Sequence, residues 1–150
     1  MKQHHLHICL YRPEIPQNTG TIGRLAAAMQ CRLHLIRPFG FSISDKHLKR
    51  AGLDYWPYLD LEIHESIDDF LSLFPPTQLA FLSKKAGKPY TKIPAYRKCL
   101  VFGQETSGLP DFLWEKYPDQ FYNIPMFHKE VRSINLANSV SIVSYHQLLG

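Results

Sequence analysis

The 150-residue sequence predicts an α/β fold, a single domain with a mostly parallel sheet and flanking helices. Three observations carry this. An apolar run at 7–11, a helical pattern over 19–30 and a second apolar run at 32–36 give the strand–helix–strand order from which parallel sheets are built. Further short apolar runs recur at 78–83, 99–102 and 121–126, each leading into a segment rich in Gly, Pro or small polar residues. Hydrophobic residues make up 45% and charged residues 20%, enough for one core in a chain too short for two comfortable domains.

The elements follow in order. His7–Tyr11 is the first strand. The segment 12–18 holds Pro13 and Pro16 and is expected to extend or turn, with Asn18 as N-cap of a helix over 19–30. Ile22, Leu25, Ala26 and Met29 share one face of that helix. Arg32–Ile36 is the second strand, closed by Pro38 and Gly40. A short basic helix is expected at 44–51, then a compact aromatic loop at 52–58 and a short strand at 61–64. A helix at 67–74 ends at Pro75 and Pro76. Strands follow at 78–83 and 99–102, separated by a basic loop with Lys84, Lys85, Lys88 and Lys92. A short helix at 109–116 precedes the last strand, 121–126. From about Ser133 the chain reads as a helix with Leu136, Val140, Val143 and Leu148 facing inward.

The totals exclude several classes. No apolar run is long enough to span a bilayer, so no membrane partner is expected. The start, Met1 to His7, shows no signal-peptide pattern, and Cys9, Cys31 and Cys99 are far apart in apolar surroundings. They read as reduced core thiols of a cytoplasmic protein rather than a zinc site or disulfide frame. The net charge of +4 is compatible with a polyanionic partner without requiring one.

Four constellations carry chemistry. Gly103-Gln104-Glu105-Thr106-Ser107-Gly108 follows a buried strand; its glycines allow a sharp turn close to a ligand, and an ordinary turn is the alternative. It matches neither the dinucleotide fingerprint nor a P-loop. Ser133, Asn135 and Asn138 beside Arg132 sit at a helix start, where one cap needs only one of them. Arg24 stands among small apolar residues early in the first helix, where snorkelling to solvent is the plain explanation. His4, His5 and His7 lack an acidic or cysteine partner nearby in sequence, so no metal is expected.

Taken together, Pro13-Glu14-Ile15-Pro16-Gln17-Asn18-Thr19-Gly20 with Arg24, Gly103-x-Glu105-x-x-Gly108, and Ile124-Pro125-Met126 with Arg132-Ser133-Ile134-Asn135-Leu136-Ala137-Asn138 resemble the SPOUT superfamily of RNA methyltransferases. Within it the chain is most similar to the TrmH family, and to its small single-domain branch of tRNA (cytidine/uridine-34 2′-O)-methyltransferases. The resemblance covers essentially the whole chain. It implies a SPOUT-type fold with a C-terminal deep trefoil knot, S-adenosyl-L-methionine as methyl donor with S-adenosyl-L-homocysteine as product, no metal, a tRNA substrate and a homodimer. Carried over residue by residue, it implies cofactor contacts at Leu82, Gly103, Ile124 and Ser133. Arg24 and Asn135 become the catalytic positions, and Asn18 and Glu105 supporting ones. Many relatives have proline and arginine where this chain has Gln104 and Ser107, so no arginine role carries over there. Methylation of another RNA such as ribosomal RNA, or a non-catalytic RNA-binding module of the same fold, are the competing functions.

Overall fold

The computed structural model describes residues 4–42 and 55–150, so the expected helix at 44–51 lies outside the described residues. Six strands form one all-parallel sheet: β1 His7–Tyr11, β2 Arg32–Ile36, β3 Asp60–His64, β4 Leu79–Leu82, β5 Cys99–Phe102 and β6 Phe121–Tyr122. Their spatial order is β3-β2-β1-β5-β4-β6. The chain therefore moves outward from β1 to β3 and then restarts on the other side of β1. That reversal creates a crevice beyond the carboxyl ends of the strands beside β1 and β5.

Alternation along β1 gives the sheet its two cores. Ile8 and Leu10 point to the face covered by α1 (Pro16–Met29) and α4 (Leu136–Leu149). There they join Ile22, Ala26, Leu33, Leu35, Leu100, Val140 and Val143. Cys9 and Tyr11 point to the opposite face, covered by α2 (Ile67–Leu71) and α3 (Asp111–Lys116), with Phe70, Phe81, Val101 and Leu113. Both faces of the central strands are buried, which is why they read as continuous apolar runs. The three cysteines are buried free thiols. Burial pushes the Cys31 thiol up to about 11 and the Cys99 thiol up to about 12.

Several expected boundaries move, the helix at 67–74 ending at Leu71 and that at 109–116 starting at Asp111, and three of the shifts have a clear local reason. The first helix begins at Pro16 rather than Thr19, and Ile15, not Asn18, is its N-cap. Proline at the first helical position gives up only an N–H that no helix bond needs. Asn18 lies inside the first turn and is buried. The last strand pairs only at Phe121 and Tyr122, because beyond them the backbone of Asn123 is bonded to the 83–98 loop, to Lys88 O at 2.7 Å and Tyr90 N at 2.7 Å. The final helix starts at Leu136, with the Asn135 side chain accepting from Asn138 N at 3.2 Å. The same loop also receives this helix: Gln147 Nε2 donates to Pro94 O and Arg97 O at 2.8 and 3.0 Å. Among the described residues no helix is long and apolar enough to cross a membrane.

Candidate active site

Four chain segments meet at the carboxyl ends of β4 and β5. The 103–109 turn follows β5 directly, and Gly103 is required there: a Cβ would stand 2.4 Å from Gly108 C. Gly108 closes the turn at φ +69°, a left-handed conformation suited to glycine. Gln104 and Gly108 exchange both backbone hydrogen bonds at 3.1 Å. Gln104 and Ser107, which depart from the expected motif, hold this turn: Ser107 Oγ donates to Gln104 Oε1 at 2.8 Å, and Gln104 Nε2 donates to Arg12 O at 3.1 Å.

Glu105 then ties the turn to α1. Its two carboxylate oxygens accept from Glu14 N and Ile15 N, each at 2.9 Å, and from Asn18 Nδ2 at 3.3 Å. A carboxylate at a helix N-terminus satisfies orphan N–H groups and opposes the positive end of the helix dipole. Glu14 returns the exchange by accepting from Thr106 N and Thr106 Oγ1 at 3.0 and 2.8 Å. These bonds hold its carboxyl below the usual carboxylate range. Asn18 Oδ1 in turn accepts from Asn135 Nδ2 at 3.1 Å, while Asn135 Oδ1 caps α4. One polar chain, Glu105–Asn18–Asn135, thus fixes the α1 start, the turn and the α4 start against each other.

Inside this frame lies a cavity of about 540 Å³. Leu82, Gly103, Ile124 and Ser133, the expected cofactor residues, all line it, as do Asn18, Glu105 and Asn135. Its wall also holds Ile15, Trp114 and Met126, and its rim the exposed Lys84 and Lys85. Trp114 is stacked on Phe121 with ring centroids 3.7 Å apart. Ile15 and Met126 fall within the quoted motifs, though neither was singled out there; Trp114 lies outside them, and only the basic loop after β4 pointed toward the lysines. A space of this size with apolar walls and a few convergent polar groups suits a nucleoside-sized ligand.

Arg24 is not brought to this cavity. It lies six residues beyond Asn18, about 240° round the helix, with an exposed side chain whose guanidinium sits 5.7 Å from the Tyr55 ring centroid. Tyr55 is itself anchored, its hydroxyl donating to Gly20 O.

A second polar cluster went unread in the sequence because its members come from three strands. His7 Nδ1 meets His34 Nε2 at 2.9 Å, and His34 Nδ1 meets His64 Nε2 at 2.9 Å. Phe70 and Phe74 cover the rings edge-on. Burial, and next the neighbouring His7, lower the His34 pKa to about 2; burial, and next His4, lower that of His7 to about 4; burial also lowers His64. Donor atoms of His34, Glu62 and His64 lie within 4.8 Å of one another, close enough to consider a cation. Yet the two imidazole nitrogens already share a proton at 2.9 Å, and Glu62 Oε2 is paired with Arg32 Nη2 at 3.2 Å. The arrangement is that of a hydrogen-bonded column of neutral imidazoles.

Comparison with known proteins agrees with this geometry. The profile of the SpoU rRNA Methylase family matches residues 5–145. A Bacillus subtilis protein is 43% identical over 148 residues, spanning 95% of this chain and 91% of that protein. Its name gives tRNA (cytidine(34)-2′-O)-methyltransferase as a provisional assignment. A structure solved for the 2-OH methylation of C/U34 on tRNA superposes with a TM-score of 0.86 at 42% identity, covering 96% of this chain and 94% of that one. The SpoU methyltransferase AviRb from Streptomyces viridochromogenes, solved in complex with AdoMet, shares the fold at 21% identity, with a TM-score of 0.80 and coverage of 99% and 61%.

Proposed function

The chain belongs to the SpoU rRNA Methylase family, and on that premise we propose that it methylates the ribose 2′-oxygen of the wobble nucleotide, position 34, of tRNA. The observation that carries this reading is the meeting of Leu82, Gly103, Ile124 and Ser133 around one cavity framed by Glu105, Asn18 and Asn135. The relatives named for this reaction match along nearly their whole length.

In this reading the cavity takes S-adenosylmethionine. Leu82 and Ile124 supply apolar walls for the adenosine, and the close backbone at Gly103 offers hydrogen-bonding groups that no larger residue would leave accessible. Ser133 adds a hydroxyl at the start of the α4 segment. The bound cofactor supplies a methyl group on a sulfonium, already activated for in-line displacement. The protein's remaining work is to align the ribose oxygen and let its proton leave. Asn135 is held by Asn18 and so presents a fixed polar edge at the cavity. Arg24 is assigned as the aligning and charge-stabilising group; a guanidinium, with a pKa above about 12, is a poor base. Since Arg24 lies away from its own cavity, a homodimer pairing the outer faces of α1 and α4 supplies its approach to the reacting ribose. The bonds from the 83–98 loop to Asn123 and Gln147 are those expected where a C-terminal segment threads that loop as a trefoil knot. The reaction requires no metal, and its tRNA substrate puts the enzyme in the cytoplasm.

The test is methyl transfer from labelled S-adenosylmethionine to total tRNA and, in parallel, to ribosomal RNA, followed by nucleoside mapping. The expected product is a 2′-O-methylated nucleotide at position 34. Label found only in ribosomal RNA, or cofactor binding with no transfer to any RNA, overturns the assignment.

A further inference from the structure

The loop between Met126 and Ser133 joins two residues of the cavity wall and carries the most exposed large apolar side chain among the described residues. Phe127 is 96% exposed. Scattered surface apolar residues are ordinary, but this one has a particular setting. Its loop carries the exposed cations Lys129 and Arg132, and Lys84 and Lys85 stand at the rim of the same cavity. The loop also has a defined local shape: Glu130 N donates to His128 Nδ1 at 3.0 Å, and Val131 N donates to His128 O at 3.3 Å. An aromatic face set among cations beside a reaction cavity is the arrangement that holds single-stranded nucleic acid, with bases stacked on the ring and phosphates tracked by the charges.

The chemistry gives this ring a task. A ribose 2′-oxygen can reach a donor inside a cavity only if its nucleotide leaves the loop stack, so a neighbouring base loses a stacking partner. We propose that Phe127 replaces that partner, stacking on an unstacked nucleobase of the substrate loop next to the methylated nucleotide. Lys84, Lys85, Lys129 and Arg132 hold the adjoining phosphates. This rests on the tRNA methylation proposed above and adds the residue that grips the substrate. A single-stranded nucleic acid offers a π-face and a phosphate on every successive unit, the pairing that this ring and these cations match.

Phe127→Ala, Phe127→Leu and Phe127→Trp are compared with wild type for tRNA methylation, for S-adenosylhomocysteine binding by calorimetry and for mass by sedimentation. The expected result for Ala and Leu is a KM for tRNA raised about tenfold or more, as loss of one base–aromatic stack gives. Trp stays within about threefold, and cofactor affinity and mass do not change. Leucine separates stacking from mere apolar contact. A KM within twofold of wild type for Phe127→Ala overturns the proposal. So does a changed mass, which would assign Phe127 to subunit assembly, and so does full rescue by leucine. Wild type that binds cofactor but neither binds nor methylates RNA sinks the functional reading and this inference together. Wild type that methylates tRNA with an indifferent Phe127→Ala sinks this inference alone.

Discussion

At Gly103 the site depends on the absence of a side chain. A Cβ there would lie 2.4 Å from Gly108 C and 2.6 Å from Leu109 N, both backbone atoms that cannot swing aside. Gly103→Ala should therefore push the 103–109 turn off β5, lower the melting temperature and weaken S-adenosylhomocysteine binding more than tenfold; calorimetric affinity within twofold of wild type would show that the turn does not shape the cofactor site. Arg24 makes the opposite case, a residue whose loss should leave the cavity untouched. Arg24→Ala is expected to cut methyl transfer at least a hundredfold while circular dichroism and cofactor titration stay as in wild type, because the group acts on the transition state and not on the bound cofactor. Lysine should rescue poorly, lacking the planar fork, and near-normal turnover of the alanine variant would return Arg24 to the surface. The 103–108 turn and the Ser133–Asn135 helix start stood out from the residues alone, whereas Leu82, Ile124 and the site roles of Asn18 and Glu105 came only through the resemblance to a family. Glu105 and Asn18 show why. Their bonds span about ninety residues of chain, and local rules could offer Asn18 nothing better than an N-cap.

Elements were legible where the signal was local. The strands His7–Tyr11, Arg32–Ile36 and Cys99–Phe102 fall where the sequence puts them, since each is a short apolar run buried on both faces and bounded by turn residues. The segment 121–126 pairs with β4 over only two residues, because from Asn123 onward its neighbour is the 83–98 loop, which no periodicity reveals. The histidine column is likewise a product of register: His34 is level with Cys9 and Glu62, and His64 with Ile36, so three strands bring the rings together. Burial is the largest cause keeping His7, His34 and His64 neutral; the neighbouring Arg32 and His4 act in the same direction, and Asp60, Glu62 and Asp69 oppose it. Their native pKa values lie below the ordinary value near 6.5, with His7 at about 4 and His34 at about 2. The unfolded chain therefore binds protons first as pH falls. The contribution of these rings to stability is complete above about pH 6.5 and is lost as pH drops toward 4. Melting curves at pH 8 and pH 5 should differ by more than about 5 °C, most of it between pH 6.5 and 5, where few carboxylates titrate. A flat profile across that window would show that the imidazoles are not held neutral.

At the scale of the whole molecule, the cavity proposed for the cofactor and Arg24, the arginine proposed for catalysis, part company. One chain supplies every residue proposed to hold S-adenosylmethionine, yet Arg24 points elsewhere. Meanwhile α4 exposes Ile142, Tyr145 and Leu149, of which Leu149 is 79% accessible, and α1 beside it carries the small residues Ala27 and Ala28 toward the surface. Small residues permit close helix approach, and an apolar stripe on two adjacent helices is suited to an isologous two-fold contact. Neither this pairing nor a knot has a signature in hydrophobic period, since both are relations between distant segments or separate chains. We expect wild type to sediment as a dimer at micromolar concentration, and Ile142→Asp combined with Tyr145→Asp to sediment as a folded monomer. The two functions should then separate. Cofactor binding should persist, because its cavity belongs to one chain, whereas methyl transfer should fall at least a hundredfold, because Arg24 no longer meets a reacting ribose. A monomeric variant that still methylates tRNA at the wild-type rate would place the whole reaction within one chain and remove the dimer from the mechanism.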